Sequence, residues 1–74
     1  MAMVVTGAQI RAARALIRMD GKALAERAGV AISTIRRIET DVHKPSSAVG
    51  QVIRAALENA GVEFIEGGVR LKQI

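Results

Sequence analysis

Apolar residues recur every three or four positions in four stretches of the chain, a spacing typical of amphipathic helices. The pattern predicts helices over about 8–18, 21–28, 32–39 and 46–61. The first helix carries its apolar side at Ile10, Ala13 and Ile17. The longest apolar side belongs to the fourth helix and consists of Val49, Ile53, Ala56, Leu57 and Ala60.

Capping signals stand at the expected helix ends. Thr6 and Gln9 have the spacing of a capping box, in which each side chain satisfies the other residue's backbone N–H group. Asp20 is placed to cap the second helix, and Gly29 lies just past its end, where a left-handed residue closes a helix. Gly61 ends the fourth helix.

After Gly61 the apolar period changes from helical spacing to alternation. The strings VEFI and VRLK alternate around Glu66–Gly67–Gly68, which predicts a β-hairpin over 62–72. A hairpin of this size is not stable alone, so it must pack on the helices, pair with another subunit, or both. The sequence therefore predicts one mainly α-helical domain over 1–74, with four helices and a short C-terminal β-hairpin.

The third predicted helix has two different sides at about 100° per residue. One side packs inward and holds Ala31, Thr34, Ile35 and Ile38. The other side holds Ile32, Ser33, Arg36, Arg37 and Thr40. Two guanidinium groups, hydroxyls and one branched apolar group are what a helix entering the DNA major groove needs.

Residues 9–46 resemble the helix-turn-helix of the phage Cro and repressor type, the XRE family. The strings QIRAARALI, LAERAGV, STIRRIE and KPS carry the resemblance, in the family's order and spacing. It implies a four-helix Cro/repressor-type domain with its core over 7–45, and binding of double-stranded DNA. It also implies that Ile32, Ser33 and Arg37 face base edges, and that Arg14 and Glu39 form a partly buried ion pair.

The sequence departs from the family pattern at four positions. Gly21 replaces a glutamine that commonly contacts DNA, and Ala31 replaces the usual Ser or Thr cap of the third helix. Ile32 replaces a polar residue that commonly contacts a base, and Asp41 replaces the glycine that usually follows the recognition helix. The missing cap costs about 1 kcal/mol of local helix stability.

The candidate base-contacting residues are Ile32, Ser33, Arg36 and Arg37. Arg37 is the first choice for specificity, because a guanidinium group can donate two parallel hydrogen bonds to guanine O6 and N7. Arg36 has two functional alternatives, since it can contact a base in the same way or bind a phosphate group. Its structural alternative is a helix arginine that is exposed to solvent and has no role in binding. Ile32 contacts a thymine methyl group or is a stray exposed apolar residue.

The candidate DNA-backbone contacts are Lys22, Thr34, Thr40, His43 and Lys44. His43 and Lys44 follow the third helix, where phosphates would be near. Thr34 points sideways or inward and has a structural alternative, and His43 has the alternative of an exposed residue without a role. His43 is not expected to hold a metal, because the chain has no second histidine and no cysteine.

The charge distribution supports a nucleic-acid partner. Through Pro45 there are eight basic and four acidic residues, whereas from Ser46 onward there are three of each, so the net charge of +4 lies in the first part. A solvated basic surface without function is the alternative. No apolar run approaches the roughly 18 residues of a membrane span, and Met1–Val5 is too short for a secretory signal. We therefore expect a cytoplasmic protein with no membrane partner.

No cofactor and no enzymatic activity are expected, because the sequence offers no nucleophile–base pair, metal cluster or phosphate-binding glycine loop. The predicted function is that of a homodimeric autorepressor or controller protein that reads a palindromic operator with its third helix. The fourth helix and the hairpin are the expected dimer interface, and the hairpin contributes Val62, Phe64, Ile65, Val69 and Leu71.

Two other functions fit the same sequence. The chain can be the antitoxin of a toxin–antitoxin pair, or a protein-interaction module on a helix-turn-helix scaffold that does not bind DNA. RNA polymerase, a toxin or an anti-regulator protein are the corresponding candidate partners.

Overall fold

A computed structural model describes residues 5–40 and 47–72 of the chain. Within them lie α1 (Gly7–Ile17), α2 (Gly21–Ala28), α3 (Ile32–Thr40), α4 (Ser47–Asn59), β1 (Val62–Ile65) and β2 (Gly68–Leu71). The prediction of a mainly α-helical fold with four helices and a C-terminal hairpin is confirmed. The two predicted phosphate contacts His43 and Lys44 lie outside the described residues.

The capping residues act as their positions in the sequence predict. The Thr6 hydroxyl accepts a hydrogen bond from the Gln9 N–H group at 3.1 Å, and the Gln9 side-chain oxygen accepts one from the Thr6 N–H group at 3.0 Å. The Asp20 carboxylate accepts the Ala23 N–H group at 2.7 Å, and Gly29 closes α2 with a φ of 72°. These local bonds fix where α1 begins and where α2 begins and ends.

Two helices, α1 and α4, end earlier than predicted. α1 stops at Ile17 because Arg18 adopts the left-handed conformation, with a φ of 55°. α4 stops at Asn59, since Ala60 and Gly61 form a turn in which Gly61 has a φ of 107°. In both cases the chain reverses one or two residues earlier than the apolar period alone indicated.

The core lies between the helices and the inner side of the hairpin. Its buried apolar residues are Val5, Ile10, Ala13, Leu24, Ala25, Ile35, Ile38, Ile53, Ala56, Leu57, Val62 and Phe64. Phe64 is the only aromatic residue of the whole sequence, and the Arg54 guanidinium carbon lies 5.9 Å from the centre of its ring. This distance is within the range of a cation–π contact.

β1 and β2 pair antiparallel in a register that joins Val62 to Leu71 and Ile65 to Gly68. The turn therefore has two residues, Glu66 and Gly67, and Gly67 has a φ of 75°. β1 packs on α4 and on α1, while β2 packs on α1. The hairpin thus gains its stability by packing on the chain's own helices.

This packing corrects part of the predicted dimer interface. Val62 and Phe64 are 0% and 5% exposed, because the alternating apolar side of β1 faces the helices of the same chain. Neither side chain is available to a second subunit. Of the other predicted interface residues, Ile65 and Val69 are half-buried and Leu71 is 53% exposed.

The first residue of α1 lies directly against the last turn of α3. A Cβ atom added to Gly7 would overlap the Ile38 carbonyl oxygen and would come within 3.2 Å of the Glu39 Cα atom. Backbone atoms cannot move aside as a flexible side chain can. Gly7 is therefore required by the close approach of two helices, a role that its place next to Thr6 does not indicate.

We expect Gly7→Ala to lower the free energy of unfolding by about 1–3 kcal/mol or more, because it forces α1 and α3 apart. The matched control is Gly21→Ala at the first position of α2, where an added Cβ would meet only the Ile35 Cγ2 atom at 3.9 Å. That control should leave the protein as stable or up to about 1 kcal/mol more stable. Urea unfolding measures both values, and equal effects would contradict the close approach.

Candidate nucleic-acid interface

The structure gives α3 one buried and one exposed face. Ile35 and Ile38 are 1% and 6% exposed and belong to the core. The exposed residues of the helix are Ser33, Arg36, Arg37 and Thr40. Within the described part of the chain, the guanidinium groups of Arg36 and Arg37 make no ion pair or hydrogen bond. They are available to an external acceptor.

Three of the predicted contact residues on α3 offer only limited access to DNA. Ile32 is half-buried and packs against the core, so only part of its side chain remains accessible. Thr34 is half-buried as well. The Thr40 hydroxyl donates to the Arg36 carbonyl oxygen at 2.8 Å, so its hydrogen is already used within the helix. Thr40 therefore offers lone pairs rather than a donor, and it is a poor phosphate contact.

α3 is tied to α1 by a bidentate ion pair. The Arg14 Nε and Nη2 atoms donate to the two carboxylate oxygens of Glu39, each at 2.6 Å. The third bond of this guanidinium group runs from Nη1 to the Met19 carbonyl oxygen at 3.1 Å. The side chains of Arg14 and Glu39 are 21% and 8% exposed. One guanidinium group thus holds together α1, the loop before α2 and the end of α3.

The pKa of the Arg14 guanidinium group is raised above its ordinary value, chiefly by its hydrogen bond to Glu39. Partial burial acts in the opposite direction, while the negative charges of Glu39 and Asp20 add to the rise. A raised folded-state pKa stabilises the fold at every pH below the unfolded value, and this contribution is lost only above it. Arg14 therefore stays charged at any working pH.

Arg11 contributes a contact that sequence reasoning missed. Its Nη1 atom donates to the Glu39 backbone carbonyl oxygen at 3.3 Å, near the C-terminal end of α3. A cation at this end of a helix is favourable, because the last carbonyl groups carry partial negative charge. The sequence signal that could have revealed this contact was the spacing of the two arginines. Arg11 precedes Arg14 by three residues and therefore lies on the same side of α1.

The exposed surface of the first three helices is strongly basic. Its exposed cationic residues are Arg11, Arg18, Lys22, Arg27, Arg36 and Arg37. Among the described residues of this part, only Asp20 and Glu26 are exposed acids, and the Asp20 carboxylate caps α2. A surface of this charge attracts polyanions at long range.

Two other kinds of site, a metal site and a membrane-spanning helix, were sought in residues 5–40 and 47–72. No three His, Cys, Asp or Glu side chains there come together as a metal site would require. No helix within the same residues is long and apolar enough to cross a bilayer.

Comparison with known proteins agrees with this arrangement. A family model described as Helix-turn-helix matches residues 10–61, which is more than half of the chain. The chain therefore belongs to the XRE-type helix-turn-helix family. This is a family of DNA-binding regulators, and its members are typically not enzymes. A comparison with curated proteins gives no match.

We expect Arg14→Met to lower the free energy of unfolding by about 3 kcal/mol, because it leaves the Glu39 carboxylate buried without its partner. The double variant Arg14→Met/Glu39→Met should recover part of this loss, since no buried charge remains. Glu63→Gln is the control, because it weakens the exposed pair of Glu63 with Arg70 and should change stability very little. A loss for Arg14→Met as small as that of the control would contradict the structural role of the ion pair.

Proposed function

We propose that this protein is a homodimeric, sequence-specific DNA-binding repressor that reads a palindromic operator with α3 in the major groove. The observation that carries the proposal is the exposed face of α3, on which Arg36 and Arg37 are free of partners among the described residues. The buried face and the Glu39 contacts hold the same helix in place. A rigid helix with free bidentate donors is suited to reading guanine in duplex DNA.

The residues of α3 have different roles in this proposal. Arg37 donates to a guanine base edge, and Arg36 donates to a base or a phosphate. Ser33 adds a hydroxyl group that either kind of acceptor can use. Ile32 has a half-buried side chain, which limits it to a small apolar contact with a thymine methyl group. Lys22 is exposed in the first turn of α2 and is assigned to the phosphate backbone.

A homodimer is proposed because one recognition helix reads only a few base pairs, whereas a two-fold dimer reads two half-sites about one helical turn apart. Two copies that each carry a charge of +4 associate best through a surface without charge. The outer face of α4 is such a surface, with exposed Ala48, Gln51, Val52, Ala55 and Asn59. Leu71 on the hairpin is a second exposed apolar residue, with 53% of its surface accessible.

Repression is the proposed direction of regulation, because occupying a promoter blocks RNA polymerase without any further apparatus. The protein's own concentration would then set the occupancy of its operator. The cytoplasm, at the nucleoid, is where such a protein would act.

For Arg37→Ala we expect a loss of about 1–3 kcal/mol in binding to the duplex upstream of the protein's own reading frame, and relaxed preference over a scrambled duplex. Arg27→Ala removes the same charge from an exposed position on α2 and should weaken binding to both duplexes alike. Fluorescence anisotropy with a salt titration measures both variants. If both variants lost their preference for the upstream duplex equally, the result would favour a generic basic surface. If the native protein bound neither duplex, the result would favour a protein partner.

Sedimentation equilibrium at micromolar concentration, without DNA, should show a reversible dimer. Val52→Glu and Leu71→Glu should each raise its dissociation constant at least tenfold, because each buries an unpaired charge in an apolar interface. Ala31→Glu adds the same charge at an exposed position before α3 and should leave the association unchanged. A native protein that stays monomeric throughout would contradict the proposed dimer.

A further inference from the structure

Gln9 joins the hairpin to the first turn of α1. Its side chain is almost fully buried, with 7% of the residue exposed. The oxygen accepts the Thr6 N–H group, while the amide nitrogen donates to the Ile65 and Gly68 carbonyl oxygens, both at 3.0 Å. Ile65 and Gly68 are the strand residues that flank the two-residue turn. A single amide group therefore satisfies one end of α1 and holds the closed end of the hairpin.

The same turn of α1 contacts the end of α3. Gly7, two residues before Gln9, lies against the Ile38 carbonyl group. One and two turns further along α1, Arg11 and Arg14 bind the Glu39 backbone and carboxylate. α1 is a continuous helix from Gly7 to Ile17, so these contacts share one rigid body. The hairpin and the last turn of α3 are thereby fixed to the same few residues.

We infer that Gln9 is a positioning residue for the DNA-reading helix, through which the state of the hairpin reaches α3. The inference rests on the proposed function of α3 in reading DNA. When the hairpin is held, the two Gln9 bonds fix the start of α1, and Gly7 then fixes the last turn of α3. Occupation of the hairpin by a second subunit strengthens this chain of contacts and favours the orientation of Arg37 that reads a base.

A glutamine serves this role where a glutamate does not. Glutamate completes a capping box equally well, because only its oxygen is needed for the Thr6 N–H group. It has no hydrogen to donate at neutral pH, and its second oxygen would face two carbonyl oxygens. Gln9→Glu therefore removes the attachment of the hairpin while it keeps the helix cap. Thr6→Val does the opposite, because it removes the cap hydroxyl group and leaves both hairpin bonds.

Amide hydrogen exchange tests the coupling without DNA. In Gln9→Glu, exchange should accelerate at least tenfold in β1, in β2 and in the last turn of α3, relative to the amides of Leu24 and Ala25 in α2. Thr6→Val should not produce this pattern. Acceleration confined to the hairpin would overturn the inference, because the change would not reach α3. Equal acceleration at all sites would also overturn it, because it would show only that the protein is less stable.

A second pair of variants covers the case in which Gln9→Glu does not fold. Gly67→Ala strains the turn, where φ is 75°, without touching Gln9. It should accelerate exchange in the last turn of α3 in the native background, and should not do so in a Gln9→Met background. The same effect on α3 in both backgrounds would show that Gln9 carries no coupling.

A DNA-binding measurement on Gln9→Glu separates this inference from the proposed function. Gln9→Glu should reduce the preference for the upstream duplex at least tenfold, while binding to the scrambled duplex stays within twofold. An unchanged preference together with coupled exchange would overturn the role of Gln9 in reading DNA. If the native protein bound neither duplex, the proposed function would fail, and the exchange result would still decide whether the hairpin is coupled to α3.

Discussion

The attachment of the last turn of α3 to α1 is the constraint on which the proposed reading surface depends. α3 is a short helix of nine residues, and helices of this length are marginal in water on their own. Two buried isoleucines hold one side of it, and Glu39 secures its end through Arg14. Because both carboxylate oxygens are engaged at 2.6 Å, the helix cannot rotate about its axis without breaking the pair.

The ion pair contributes more to geometry than to net stability. Desolvation of a guanidinium and a carboxylate group offsets much of their attraction, so hydrophobic replacements of both are often neutral or stabilising. The two parallel hydrogen bonds define the orientation of the guanidinium plane relative to the carboxylate group. We therefore interpret the Arg14–Glu39 pair, with its third bond to Met19, as a fixed angular reference for α3. The close contact at Gly7 sets, in addition, the distance between the start of α1 and the last turn of α3.

Local signals in the sequence predicted the elements well, and long-range contacts lay beyond them. The capping box of Thr6 and the turn at Gly29 depend on residues three or four positions apart, so spacing alone reveals them. The second role of Gln9 links residues 56 and 59 positions apart, and no local pattern encodes it. Period two correctly placed Val62 and Phe64 on one side of β1, but could not say that the chain's own helices cover that side.

Phe64 carries the only phenyl ring of the chain, and this has a spectroscopic consequence. Phe64 is 5% exposed within a core that is otherwise aliphatic, and the sequence contains no tyrosine or tryptophan. Ring-current shifts of the methyl groups packed around this ring therefore report on Phe64. The upfield methyl region of a proton spectrum is accordingly a label-free record of how closely the hairpin sits on the helices. The same composition makes the protein almost transparent at 280 nm, so its concentration has to be measured by peptide absorbance.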